Sequence, residues 1–535
     1  MKILISDEMS SACVEKLKTN FEVDYKTGMT QEQLLAIVPQ YSAWVVRSST
    51  KVTAKLIEAG TSLKIIGRAG AGVDNIDVEA ATQRGIVVMN TPGGNTISTA
   101  EHTVAMIMAL SRNIPQADQS VKKGEWKKSK FTGTELFEKT LGVLGVGKVG
   151  REVAIRMKSF GMNVIGYDPI FSNEEAERIG IRLVSLNELF ASSDYITIHT
   201  PLNKATENLI NRESLKQCHD GVKIINCARG GIIDETALQE ALTSGKVSGA
   251  ALDVFAAEPP GDHPLFKLSN VITTPHLGAS TEEAQEKVAV QIAEQLISAL
   301  NGKTITGAVN LMPIDHDVFS KSAAYLRLTS SMGHFASQLI KGQITKINIQ
   351  YYGDVLNHPT NLLTQTLIAG LFKTMIEQVN IVNAPIIAKK QGIDISETRS
   401  TEHQDFTHLI TTEIIVDGRS QSIWGTLYGK NDPRIVGING YIFDAHLDGA
   451  MLVLSNEDKP GMIGRLGTIL GSHNINIAQM SLGRKGVGGK AMTILNIDDV
   501  CSDSVIRELE KEGFTDIRFI QLTNEFEPYR FRVTE

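Results

Sequence analysis

Three side chains of different type could together oxidise a hydroxy acid. Arg229 stands in Ile224-Ile225-Asn226-Cys227-Ala228-Arg229-Gly230-Gly231, just after a strand-like run. Glu258 lies in Ala257-Glu258-Pro259-Pro260, and His276 in Thr274-Pro275-His276-Leu277. An arginine fork grips a carboxylate with two parallel hydrogen bonds and stays charged at any working pH. An imidazole moves a proton near pH 7, and a carboxylate on its far ring nitrogen fixes the tautomer. Taking a hydride and a proton from a 2-hydroxy acid asks a protein for these three services.

The hydride needs an acceptor. Gly145, Gly147 and Gly150 form G-x-G-x-x-G directly after the apolar run Leu141-Gly142-Val143-Leu144 and before a helical pattern. The first glycine permits a tight turn, the second lets a pyrophosphate approach the backbone, and the third lets helix and strand pack closely. The helix N-terminus then offers free N–H groups to the phosphates. Asp168 ends the next strand-like run, where an acid accepts ribose hydroxyls and repels a 2′-phosphate, so NAD is expected rather than NADP.

Such residues need parallel strands with helical crossovers to hold them. Strand-like bursts at 2–6, 43–47, 63–68 and 87–90 read as one α/β unit. A buried helix at 96–110, with Thr96 or Ser98 as its cap, leaves that unit. A second unit has strands near 140–144, 163–167, 195–198, 223–226, 249–252 and 271–273. The helical pattern at 282–300, closed by Asn301-Gly302, returns to the first unit and makes it discontinuous. Beyond Pro313 the chain mixes a helical stretch at 366–380 with extended ones at 344–352 and 411–416, and carries no chemical motif. The last segment reads strand 450–456, helix 461–473, strands 475–484 and 490–497, helix 502–511, strand 516–522, a ferredoxin-like βαββαβ order. The expected architecture is therefore α/β: two doubly wound Rossmann-like units, then an α+β intervening domain and a ferredoxin-like module. The expected boundaries are 1–95 with 283–312 for substrate, 96–282 for the dinucleotide, then 313–446 and 447–535.

Bulk properties exclude other classes. A chain of 535 residues is too long for one core. Its net charge of −7 gives no general attraction to nucleic acid or anionic membranes, and the basic run Lys122–Lys128 reads as a solvated loop or helix end. Cys13, Cys218, Cys227 and Cys501 are far apart and lack metal-ligand spacing, so reduced thiols, no metal and a cytoplasmic location are expected. No signal peptide is read ahead of Lys2, and no apolar run is long enough to span a bilayer.

The segments 224–238, 251–260 and 273–280 resemble the D-isomer-specific 2-hydroxyacid dehydrogenase family, over residues 1 to about 305. The resemblance implies that Arg229 binds substrate, Glu258 orients the histidine and His276 transfers the proton. It also implies cofactor contacts from Ala71, Lys148, Val149, Thr200, Cys227, Ala228, Asp253, Gly278 and Ala279, with the nicotinamide amide near Asp253. The runs Val45-Val46-Arg47-Ser48-Ser49-Thr50 and Ile65-Ile66-Gly67-Arg68-Ala69-Gly70-Ala71-Gly72-Val73-Asp74-Asn75 resemble the phosphoglycerate branch. There Arg47, Arg68 and Asn95 would face a substrate with two anionic ends, which implies 3-phospho-D-glycerate and serine synthesis. Asn456-Glu457-Asp458-Lys459-Pro460-Gly461 and the later Asn476 resemble an ACT module, which implies an amino-acid effector such as L-serine held by Asn456, Asp458 and Asn476. Asn456 departs from the His of some serine-regulated members. The order of parts is that of the long form, a homo-oligomer, dimer or tetramer. Other readings within reach are a hydroxypyruvate or glyoxylate reductase, a 2-oxoglutarate side activity, and an NADH-sensing corepressor or scaffold.

Overall fold

The structure is a computed structural model of the chain; it describes residues 1–303, 305–311, 316–376, 379–402 and 405–522. Four sheets organise it. The first holds five parallel strands in the spatial order Glu22–Tyr25, Lys2–Ile5, Ala43–Val46, Ile65–Arg68, Val87–Met89. Apart from the edge strand Glu22–Tyr25, its strands are near-continuous apolar runs because helices cover both faces. One cover is the helix Glu282–Leu300, whose Val288, Ile292 and Leu296 join Ile3, Val45 and Ile65 in one core. That helix starts with Thr281, whose hydroxyl accepts from the Ala284 amide.

The second sheet is also fully parallel, with seven strands. The strand Thr140–Leu144 lies between Asn163–Tyr167 and Tyr195–Ile198. From there the chain builds outward in one direction through Arg182–Leu183 and in the other through Val222–Asn226, Val247–Leu252 and Val271–Thr273. The strand order therefore reverses between 140–144 and 195–198, and ligands of open α/β sheets bind outside the carboxyl ends of strands at such a point.

The helix leaving the first sheet runs over Thr96–Arg112. Neither expected cap serves it. Asn95 occupies the cap position without a side-chain bond, and Ser98 Oγ is instead 2.7 Å from Thr281 Oγ1. The region after residue 316 is richer than expected. A 24-residue helix, His316–Leu339, and the helix Thr360–Phe372 pack on a six-stranded mixed sheet. Only Ile344–Gly353 and Asp394–Ser400 pair in parallel in it; the others form an antiparallel meander. The helical stretch expected at 366–380 is displaced toward the N-terminus, since Thr360, Leu363, Thr364 and Leu367 are buried as well.

The last sheet is antiparallel, in the order Ile477–Arg484, Lys490–Ile497, Ala450–Glu457, Thr515–Gln521, with helices Met462–Ser472 and Asp503–Lys511. This is the expected βαββαβ arrangement. The change of pattern at Pro313 and the tail 523–535 lie outside the described residues. Among the described residues no helix is long and apolar enough to cross a membrane, and no cluster of His, Cys, Asp and Glu is arranged to hold a metal.

Candidate active site

The glycine loop follows the central strand of the second sheet, and each glycine meets a different demand. Gly145 has φ +91°, and a Cβ there would lie 2.7 Å from the His199 carbonyl oxygen. At Gly150 a Cβ would fall 2.0 Å from the Gly145 oxygen, so only glycine lets helix Lys148–Ser159 close on the turn. At Gly147 a Cβ would meet nothing within 4 Å. That open volume lies at the N-terminus of a 12-residue helix, a cradle suited to a pyrophosphate. Thr200, at the end of the neighbouring strand, has a buried hydroxyl with no partner beside Gly145. These features fit a dinucleotide.

Asp168 stands where the spacing put it. Its Oδ2 accepts from the Val146 amide of the glycine loop at 2.9 Å, and Oδ1 from the amides of Ile170 and Phe171. A carboxylate has about four acceptor positions, so one remains for a ribose hydroxyl. Lys148, the first residue of the helix, reaches across to the Pro92 carbonyl at 3.4 Å. His199 was not singled out by sequence; its ring hydrogen-bonds Thr197 Oγ1 at 2.9 Å, and burial pushes its pKa down to about 3.

Arg229, Glu258 and His276 come together. His276 Nδ1 is 2.7 Å from Glu258 Oε2, while Glu258 Oε1 accepts from the Phe255 amide at 3.1 Å. Burial pushes the Glu258 carboxyl up, but the bonds from His276 and Phe255 outweigh it and leave the group lowered. The bond to Glu258 raises His276; burial opposes, the charges of Glu258 and Asp253 add, and Arg229 subtracts. His276 has φ +55° and its amide donates to the Asp253 carbonyl at 2.9 Å.

Arg229 Nε pairs with Asp74 Oδ2 at 3.0 Å. Gly72 makes this contact feasible, since a Cβ there would sit 2.2 Å from the Arg229 guanidinium. Arg68, like Arg47 and Arg229, is partly buried. It donates from Nε to Asn75 Oδ1 at 2.7 Å and from Nη1 to the Gly72 carbonyl at 2.6 Å. Burial lowers its pKa, with Arg229 and Arg47 adding to that and Asp74 and Asp7 opposing. Arg47 Nη1 is held by the Glu8 carbonyl at 3.2 Å, and Asn75 bonds the carbonyls of Arg47 and Thr50. The three arginines thus share one cleft between the two parallel sheets. Asp74 and Asn75 organise it, although the sequence carried them only as the last residues of the run 65–75, with no role assigned. Ala71 accepts from Asn90 Nδ2, and Asn95 lies at the helix start.

Asp253 is fully buried. Its carboxylate accepts from the Thr274 hydroxyl and from the amides of Leu277 and Gly278, with His102 Nε2 at 3.2 Å. Cys227 is also buried, and burial with the Asp253 charge pushes its thiol up to about 12. His102 gave no signal in the sequence, being one polar residue of an otherwise helical run.

The three candidate effector residues do not meet within one chain. Asn456 pairs with Ala491, while Ile477, next to Asn476, pairs with Ile497 at the opposite end of the same strand. Asp458 Oδ2 accepts from Arg484 at 3.2 Å, and Asn476 Nδ2 donates to Asp498 at 2.7 Å. Asn456 is buried with its Oδ1 unpartnered.

Comparison with known proteins names the family. Residues 104–278 match the model of the D-isomer specific 2-hydroxyacid dehydrogenase NAD binding domain. Residues 321–439 match the D-3-phosphoglycerate dehydrogenase intervening domain, and 450–514 the ACT domain. A D-3-phosphoglycerate dehydrogenase of Archaeoglobus fulgidus is 46% identical over 98% of this chain and 100% of its own length. The chain belongs to the D-3-phosphoglycerate dehydrogenase family. A Synechocystis relative of that name is 44% identical over 97% of this chain and 95% of its own. Among solved structures, the D-lactate dehydrogenase of Aquifex aeolicus complexed with NAD and lactic acid aligns with a TM-score of 0.52. It is 29% identical over 56% of this chain and 96% of its own. The family's NAD-binding domain thus coincides with the glycine loop, Asp168 and the Arg229–Glu258–His276 group.

Proposed function

We propose that this chain oxidises 3-phospho-D-glycerate with NAD to 3-phosphohydroxypyruvate, the first step of L-serine synthesis. The observation that carries the mechanism is the 2.7 Å contact of His276 Nδ1 with Glu258, which leaves Nε2 for the substrate. Arg229 holds the substrate carboxylate, and Arg47 and Arg68 hold the phosphate end. His276 Nε2 takes the C2 hydroxyl proton as the C2–H bond breaks, and Glu258 stabilises the imidazolium that forms. Bound NAD supplies the two-electron acceptor for that hydride. Asp168 and the loop Gly145–Gly150 hold the dinucleotide with Lys148, Val149 and Thr200, while Ala71, Cys227, Ala228, Asp253, Gly278 and Ala279 surround its nicotinamide end. Asn95 adds a contact from the helix start.

The relatives' shared name supports the substrate, and the convergence of three arginines supports a doubly anionic one. We place the domain boundaries at 95, 282 and 312, and at 446. The opposite placement of Asp458 and Asn476 favours an amino-acid effector, L-serine, bound between two copies of the chain. A dimer or tetramer would supply both halves. Four buried thiols suit the reducing cytoplasm.

The test is NADH formation at mildly alkaline pH with 3-phosphoglycerate, D-glycerate or D-lactate as donor, with and without L-serine. Turnover confined to the phosphorylated donor is expected. Equal turnover with D-lactate would reject the two-anion site, and NAD binding without turnover on any donor would reject the enzyme in favour of an NADH sensor.

A further inference from the structure

Each carboxylate oxygen of Asp253 is committed. Thr274 Oγ1 donates to Oδ1 at 2.6 Å, the Leu277 amide to Oδ1 at 2.7 Å and the Gly278 amide to Oδ2 at 2.8 Å. The fourth group is His102, whose Nε2 hydrogen-bonds Thr274 Oγ1 at 3.2 Å and lies 3.2 Å from Asp253 Oδ1. Thr274 spends its one proton on Asp253, so at that hydroxyl His102 Nε2 is the donor and carries a proton in either charge state of the ring. His102 comes from a different part of the fold from the other three: the helix Thr96–Arg112, which carries the chain out of the first sheet. One turn earlier, Ser98 of the same helix bonds Thr281, the cap of the helix that carries the chain back. Both crossings between the two sheets are therefore tied to each other and, through His102, to the loop that bears His276. That loop holds a non-glycine residue at φ +55°, a conformation that persists only where its surroundings over-determine it.

We propose that His102 is a positioning residue that locks the catalytic loop to the inter-sheet helix and holds Asp253 as a charged, fully bonded group behind His276. The proposal rests on the assignment of His276 as the proton carrier. Its chemical consequence follows from the neighbours. The titratable and charged groups facing Asp253 and His276 are His102, Cys227, Glu258 and Arg229. Burial raises Asp253, and the bonds from His102, Thr274 and Leu277 overcome it to keep the group lowered. Its charge in turn helps to raise His276. Without the His102 contact, Asp253 and the loop are held less closely behind His276, and the carboxylate supports the imidazolium less.

The experiment compares pH profiles of kcat and kcat/KM for His102→Leu, His102→Gln and Asp253→Asn in the full chain, with NAD affinity measured separately. His102→Leu should lower kcat about tenfold, the equivalent of one hydrogen bond to a charged group. The acid limb of kcat/KM should move to lower pH. Gln, which can replace the lost N–H, should restore most of both. Asp253→Asn should move the limb further in the same direction, and His102→Leu should add nothing to it in the double variant, which keeps the idea testable if the Leu variant folds poorly. A fall in kcat with an unmoved limb, or a Gln variant no better than Leu, overturns the proposal. Retained turnover in His276→Ala is a separate failure: it removes the base itself rather than its support.

Discussion

Gly147→Ala and Gly150→Ala separate the two jobs of the glycine loop. At Gly147 φ is −70°, an angle alanine adopts freely, and the added methyl meets no protein atom within 4 Å. Alanine at a compatible backbone position gains about 0.4–1 kcal/mol through the unfolded chain. The weaker capping of alanine removes a few tenths. Folding stability should therefore stay within about 0.5 kcal/mol of the parent. The same methyl occupies the volume a pyrophosphate needs beside the helix N-terminus. Losing one hydrogen bond to a charged group costs about 1.5–3 kcal/mol, so NAD should bind some ten- to a hundredfold more weakly. At Gly150 the new Cβ would lie 2.0 Å from a backbone oxygen, where real contacts essentially never fall below 3.0 Å. Overpacking of that depth costs about 3 kcal/mol, against about 1 kcal/mol gained in helix propensity. The net of about 2 kcal/mol lowers the melting temperature of that domain by about 4–8 °C. Thermal melts with calorimetric NAD titrations read both. Normal NAD affinity in Gly147→Ala would refute the cradle, and an unchanged melt in Gly150→Ala would refute the tight helix–turn contact.

Glu258→Gln removes the group that does most to raise His276. The histidine must be neutral to accept a proton, so oxidation should rise with pH through a pKa above 6.5 in the parent and through a lower one in the variant; an identical limb in both would contradict the pairing. Arg229→Lys keeps the charge but loses the fork that also reaches Asp74, so kcat/KM should drop about a hundredfold with little change in NAD affinity. All four thiols are buried, with Cys13 and Cys218 pushed up to about 11 by burial. Iodoacetamide at pH 8 should label none of them in the native protein and all four in denaturant, by intact mass; labelling of the native chain would show that the local structure opens.

The second sheet was legible because parallel strands buried on both faces write themselves as apolar runs, and its catalytic residues all sit just after such runs. Glycine spacing carried the dinucleotide loop for the same local reason. Legibility failed wherever a residue's meaning is set by a distant partner. His102 looks like any polar helix residue until the fold brings Asp253, 151 positions away, within 3.2 Å. Ser98 resembled a cap until Thr281 claimed its hydroxyl. Apart from the run at 411–416, the strands between 394 and 446 were missed because Asp394–Ser400 has no fully buried residue, Asp432–Ile438 opens on Asp, Pro and Arg, and Tyr441–His446 buries only alternate residues, a weak signal for short elements. The separation of Asp458 from Asn476 is a matter of register, which residue spacing does not encode.

The return of Glu282–Leu300 to the first sheet also sets an order of assembly at the ribosome. Ile3, Ile5, Val45 and Ile65 are made early, yet the residues that cover them, Val288, Ile292 and Leu296, come more than 200 positions later. The second sheet has all its strands by residue 273 and can close alone. The first must wait with an apolar face covered only in part, by Cys13 and Leu17 of the helix Ser11–Lys18, through about 15–60 seconds of synthesis at ordinary elongation rates. The amino-terminal unit is thus first to be made and last to be finished, and a nascent chain stalled before residue 282 is a natural client for a holding chaperone.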